Sequence, residues 1–121
     1  MFKETLNSIV ERTEGAMGAI IMGTDGIAVE KALLVEGAEA NLDVAAAEFT
    51  SLVRSAQRTG TDTGLGSLQE LVIALDSMTM VMRLFNRDYF IALALKPDGN
   101  LGRGRFELRK AELALAREFV V

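Results

Sequence analysis

The residues best equipped for chemistry lie in one stretch, LGRGRFELRK at 101–110, which combines two glycines with Arg103, Arg105, Arg109 and Lys110. Three uses fit such a mixture: a glycine loop that wraps phosphate with backbone N–H groups, a basic arm that neutralises nucleic acid, or a helix whose glycines allow close packing. A phosphate loop needs its glycines between a strand and a helix, followed by Gly-Lys-Ser/Thr. Gly102 and Gly104 lack a third glycine at dinucleotide spacing. The other cluster, GTDTGLG at 60–66, has no lysine and follows a helical pattern instead of preceding one. Nucleic acid is opposed by charge: Glu107, Glu112 and Glu118 interleave with Arg103, Arg105, Arg109, Lys110 and Arg117, and the whole chain carries −4. No row of aromatics offers a stacking platform for bases, so the alternation reads as a solvated, salt-bridged helix face. Packing is what remains. Leu101, Gly104, Leu108, Ala111, Leu115 and Phe119 recur at spacings of three and four. Gly104 in that stripe lets the helix approach a neighbouring layer, at about 1 kcal/mol of helix propensity relative to alanine. Phe106, Leu113 and Val120 form a second stripe, so the helix is expected to be wedged between the sheet and the first helix.

Elsewhere the chemical inventory is thin. The 121 residues include no histidine, cysteine or tryptophan and a single tyrosine, Tyr89. The commonest general base, the thiol nucleophile and thiolate metal sites are therefore absent. Asp62, Glu70 and Asp76 are scattered over loops and strand ends, with no spacing that demands catalysis. No catalytic residue, cofactor or metal is expected. The absence of disulfides and of a leader or membrane-length apolar run points to the cytoplasm, with no insertion into a membrane.

These side chains must be positioned by a chain that is 50% apolar and of a length for one domain, residues 1–121. Phe2, Leu6, Ile9, Val10 and Thr13 mark an amphipathic helix over 2–13, stopped near Gly15. AMGAIIMG (16–23) and IAVEKALL (27–34) flank Asp25-Gly26, a hairpin signal. In the first strand Met17, Ala19 and Ile21 are expected on one side, and Ile20 and Met22 on the other. VEGAEAN (35–41) reads as a loop, with Asn41 as N-cap and Asp43 near the positive end of a helix over 42–58. Its core stripe is Leu42, Ala45, Ala46, Phe49, Leu52, Val53 and Ala56. After TGTDTGLG come strands over 67–75, 78–85 and 89–95, joined by short turns, and KPDGN leads to a last helix from about 101. Met78, Met80 and Met82 share one face as core filler, while Arg83 on the other requires a partner. The expected fold is α/β (α+β): a three-layer sandwich with a central five-stranded antiparallel sheet, helices on both faces and the order α-β-β-α-β-β-β-α.

DGNLGRGRFELRKAELAL resembles the C-terminal signature of the roadblock family, related to the dynein light chains of that name, and GAIIMGTDGIAVEKA resembles its first hairpin. The element order is similar from end to end. The resemblance implies the second helix on one sheet face and the terminal helices on the other. It implies homodimers, or heterodimers with a paralogue, joined through the third strand and second helix, and a role as scaffold or regulator of a small Ras-like GTPase.

A dimer also follows from the third strand itself. It is long, β-prone and proline-free with one charge, Glu70, and as an edge it invites pairing with its own copy. Leu68, Glu70, Leu71, Val72 and Ile73 are the expected interface, with the small face Val44, Ala47, Ser51 and Ser55 of the second helix beside it. Arg54, Arg58 and Arg87 are candidate contacts to a GTPase, more by orienting its own groups than by inserting an arginine. The alternatives are an adaptor with no effect on GTP hydrolysis and a small-ligand sensor of related sandwich fold.

Overall fold

Alternation of apolar residues in the strands decides the architecture. The computed structural model describes residues 2–34 and 39–118, with the backbone alone for 39–43. Its elements are α1 (Phe2–Arg12), β1 (Ala16–Gly23), β2 (Ala28–Leu33), α2 (Glu39–Asp62), β3 (Glu70–Ala74), β4 (Thr79–Leu84), β5 (Tyr89–Leu95) and α3 (Leu101–Glu118). The strands form one antiparallel sheet in the order β2-β1-β5-β4-β3. One face carries Ala19, Ile21, Val81, Ile91, Leu93 and Leu95, packed against Leu6, Ile9 and Val10 of α1 and Leu108, Ala111 and Leu115 of α3. The other carries Ile20, Met22, Met80, Met82, Phe90 and Ala92 beneath Ala46 and Val53 of α2. The expected sandwich is therefore present, and the three methionines of β4 and its preceding turn lie in the α2 core, with Met78 only partly buried.

Several local expectations change. Met17 packs with the α2 core because a register irregularity between Ala16 and Gly18 turns it away from Ala19 and Ile21. Helix α2 begins at Glu39, which puts Asn41 inside its first turn instead of at the cap, and it runs through Thr59-Gly60-Thr61 to Asp62. The hydroxyls of Thr59 and Thr61 donate back to the carbonyls of Ser55 and Gln57, at 3.1 and 3.2 Å, which satisfies them inside the helix. Of the 35–41 loop, 35–38 lie outside the described residues, as does the side chain of Leu42. In the α2 stripe, Leu52 is exposed, not core. The third strand is shorter than 67–75, although backbone bonds from Leu84 N–H to Gln69 O and from Leu75 N–H to Met78 O extend its pairing at both ends.

Helix α3 answers the question of its glycines. Asn100 caps it, its Oδ1 accepting from the Arg103 N–H at 3.0 Å. A Cβ on Gly104 would stand 2.8 Å from Leu93 Cδ2, so the helix reaches β5 only because this residue has no side chain. Leu101 is exposed at the helix start. The second stripe is not wedged: Phe106 and Leu113 face outward, and the buried side of α3 is the line of Gly104, Glu107, Leu108, Ala111 and Leu115. Phe119 and Val120 lie outside the described residues.

Candidate functional site

Strand β3 closes one side of the sheet, and its backbone is half used. The bonds at Gln69 and Leu75 fix the alternation, so 69, 71, 73 and 75 direct their N–H and C=O groups to β4. Glu70, Val72 and Ala74 direct theirs outward, and no hydrogen bond among the described residues reaches them. Val72 is 39% exposed and Leu75 54%. On the α2 face Leu71 and Ile73 are only half covered, as are Leu68 and Met78. The cause is geometric. A helix about 10 Å across covers roughly two strands spaced about 4.8 Å apart. Helices α1 and α3 share one face, but among the described residues α2 alone covers the other, and it approaches the sheet backbone chiefly at β1. The rim at β3 is left open.

The α3 side of β3 is held by charge. Glu70, 11% exposed at its side chain, accepts from Arg105 Nε at 2.7 Å and lies 3.9 Å from Arg83 Nη1. Arg83 Nε donates to Glu112 at 2.8 Å. Arg83 thus has the partner its position in an apolar strand requires, and the lone acid of β3 is tied to α3. Register places Glu70 opposite Arg83; the sequence signal was one charge in each of two strands joined by a tight turn.

Next to this edge a cleft of about 610 Å³ opens between the C-terminal half of α2, residues 67–69 and the β4–β5 turn. It brings together two of the three candidate arginines, Arg54 and Arg87, with Leu68 on its wall, while Arg58 is exposed outside the lining. Arg54 donates to the carbonyl of Thr24 in the β1–β2 turn, and Gln57 donates to the carbonyl of Arg87 at 3.0 Å. Arg54 thereby ties α2 to that turn while lining the cleft. The cleft holds no arrangement for a metal: among the described residues no group of three or more His, Cys, Asp or Glu side chains could hold one. Val44, Ala47, Ser51 and Ser55 all sit exposed on the outer side of α2. No described helix is long and apolar enough to cross a membrane.

The chain is 35% identical to MglC from Myxococcus xanthus and superposes on its structure with a TM-score of 0.74 over 98% of both chains. A Roadblock/LC7 domain from Streptomyces avermitilis shares the fold at a TM-score of 0.85, with 16% identity over 98% of both chains. The chain belongs to the roadblock family. The gliding protein MglB from Thermus thermophilus has the same roadblock fold, with 21% identity and a TM-score of 0.81 over 94% of this chain and 84% of that one. No family model matches the sequence, and neither does any curated protein. Against this roadblock framework, the open β3 edge, the uncovered flank of the α2 face and the arginine-lined cleft form one continuous region, linked by Leu68 and Gln69.

Proposed function

We propose that this roadblock chain is a non-catalytic, dimeric cytoplasmic module, a single domain, that regulates or scaffolds a small Ras-like GTPase. The observation that carries the dimer is the unpaired edge of β3. Two antiparallel copies related by a two-fold axis satisfy each other's outward N–H and C=O groups and extend the sheet across both subunits. Leu68, Glu70, Leu71, Val72 and Ile73 form the seam, with Val44, Ala47, Ser51 and Ser55 meeting the second α2. Centring the pairing on Val72 keeps the two Glu70 side chains apart. The partner is a second copy or a paralogue of the same fold.

Family membership supports the GTPase role, and the arginine-lined cleft beside the seam supports this region as the contact surface. Arg87 and Arg58 are the contacts. Arg54, held by Thr24, shapes the surface and does not enter the GTPase, which supports orientation of the GTPase's own groups over an inserted arginine. Sedimentation at micromolar concentration should give a dimer; a monomer there removes the seam. Phosphate release by a candidate GTPase, measured with and without the chain, tests the second part. Binding should weaken about tenfold in Arg87→Ala, roughly 1.4 kcal/mol. Unchanged turnover with retained binding would leave the adaptor role in place of regulation.

A further inference from the structure

The outer surface of the α1–α3 layer lies on the sheet face opposite α2; among the described residues of α3 only Glu112 lines the cleft where, by the reading above, the GTPase sits. In sequence its charges alternate, yet in the fold the two signs separate. Glu107 is turned inward, 3% exposed, with Arg103 Nη2 at 2.7 Å. Glu112 is turned toward β4 and holds Arg83. Arg109, Lys110 and Arg117 are exposed and form no ion pair among the described residues; neither does Arg12 of α1. On α3 the exposed cations Arg109, Lys110 and Arg117 therefore outnumber the one exposed acid, Glu118.

The helix also carries apolar side chains in register with the cations. Phe106, Lys110, Leu113 and Arg117 follow one another at spacings of four, three and four, which aligns them along one side of α3. Phe106 is 49% exposed, with Arg103 lying 5.4 Å from its ring centroid, and Leu113 is 72% exposed. Beside this stripe runs a groove of about 300 Å³ between α1 and α3, floored by Ile9, Ala111 and Ala114, with Arg12 and Lys110 along it. The small side chains leave room for the ridge of another helix.

We propose that the α1–α3 layer is a docking surface for an acidic amphipathic helix of a partner protein. Its apolar residues meet Phe106, Leu113 and the alanine floor, and its carboxylates meet Lys110, Arg117 and Arg12. The alternating apolar and cationic positions fit a helix, whose side chains repeat at the same spacing. They fit poorly to phosphates, which have no use for Leu113, and to a flat lipid surface, which cannot enter a groove; because Glu4 and Glu107 also line that groove, the partner helix sets apolar residues there and its carboxylates toward Lys110, Arg117 and Arg12.

The test is a selection from a display library of heptad-patterned helical peptides against the full chain. Enriched peptides should be net negative, with apolar residues at three- and four-residue spacing. They should bind at least tenfold more weakly to the Lys110→Glu/Arg117→Glu double variant and to Leu113→Ser, all exposed positions whose replacement leaves the core intact. Their binding should persist in Val72→Glu, which separates this surface from the β3 seam. No enrichment, neutral or basic winners, or indifference to both substitutions overturns the proposal. Two further results overturn it in favour of other occupants. One is sedimentation with phosphatidylserine-containing vesicles that the double variant abolishes; the other is an oligomer larger than a dimer that Leu113→Ser dissolves.

Discussion

The two edges of the same sheet are treated in opposite ways. At β2 the outward backbone groups of Lys31 are both occupied: its N–H donates to the Glu30 carboxylate at 3.0 Å and its carbonyl accepts from Lys3 Nζ of α1. A bulge between Ile21 and Met22 distorts the register of the β1–β2 pair, and Glu30 and Lys31 put two charges on the strand. Bulges, charges and side-chain caps are the usual means of keeping an edge from recruiting another strand. At β3 none of these is present on the outward groups: the register is regular from Glu70 to Ala74, and the one charge is drawn toward α3. A chain that guards one edge and leaves the other open has one edge free to pair, and that is where the proposed seam lies.

Substitutions can break this contrast or sharpen it. Val72→Glu should act most strongly, because pairing would bury uncompensated carboxylates facing one another across the axis. A loss of about 3–5 kcal/mol moves the species from dimer to monomer in sedimentation, and a dimer surviving the change would falsify the seam. Arg83→Met comes next. It strips Glu112 of its partner and leaves Glu70 with Arg105 alone, which should lower stability by about 1–3 kcal/mol, read as a shift in the urea midpoint at constant slope. Gly104→Val damages the fold without touching either edge. Its Cβ meets Leu93, so a comparable loss of about 1–3 kcal/mol is expected with self-association unchanged once the chain is folded. The smallest effect belongs to Lys3→Ala at the guarded edge, less than about 1 kcal/mol, with no new oligomer while the bulge remains. Larger assemblies from Lys3→Ala alone would show that one lysine, and not the bulge, guards β2.

The element order, the assignment of strand faces and the close approach at Gly104 were legible because each rests on a local period: two for strands, near 3.6 for helices. Where the period was disturbed, reading failed. One irregularity at Ala16–Gly18 moved Met17 to the other face, and α2 runs past the glycine at 60 to Asp62. The candidate site was legible in part. The β-prone strand with a single acid was visible, as was Arg54 as a candidate contact, but not its bond to Thr24, thirty residues away in the chain.

By itself, the sequence determined which residues could be inside, which segments had to be helix or strand, and that histidine and thiol chemistry were excluded. These follow from side-chain chemistry and from periodicities that span a few residues. Only the tertiary structure decided that β3 is an edge and β2 a guarded one, that Glu107 and Glu112 turn inward while Arg109, Lys110 and Arg117 remain outside, and that two arginines share a cleft. Those outcomes depend on strand order and on distances between elements far apart in sequence, and no local repeat encodes them.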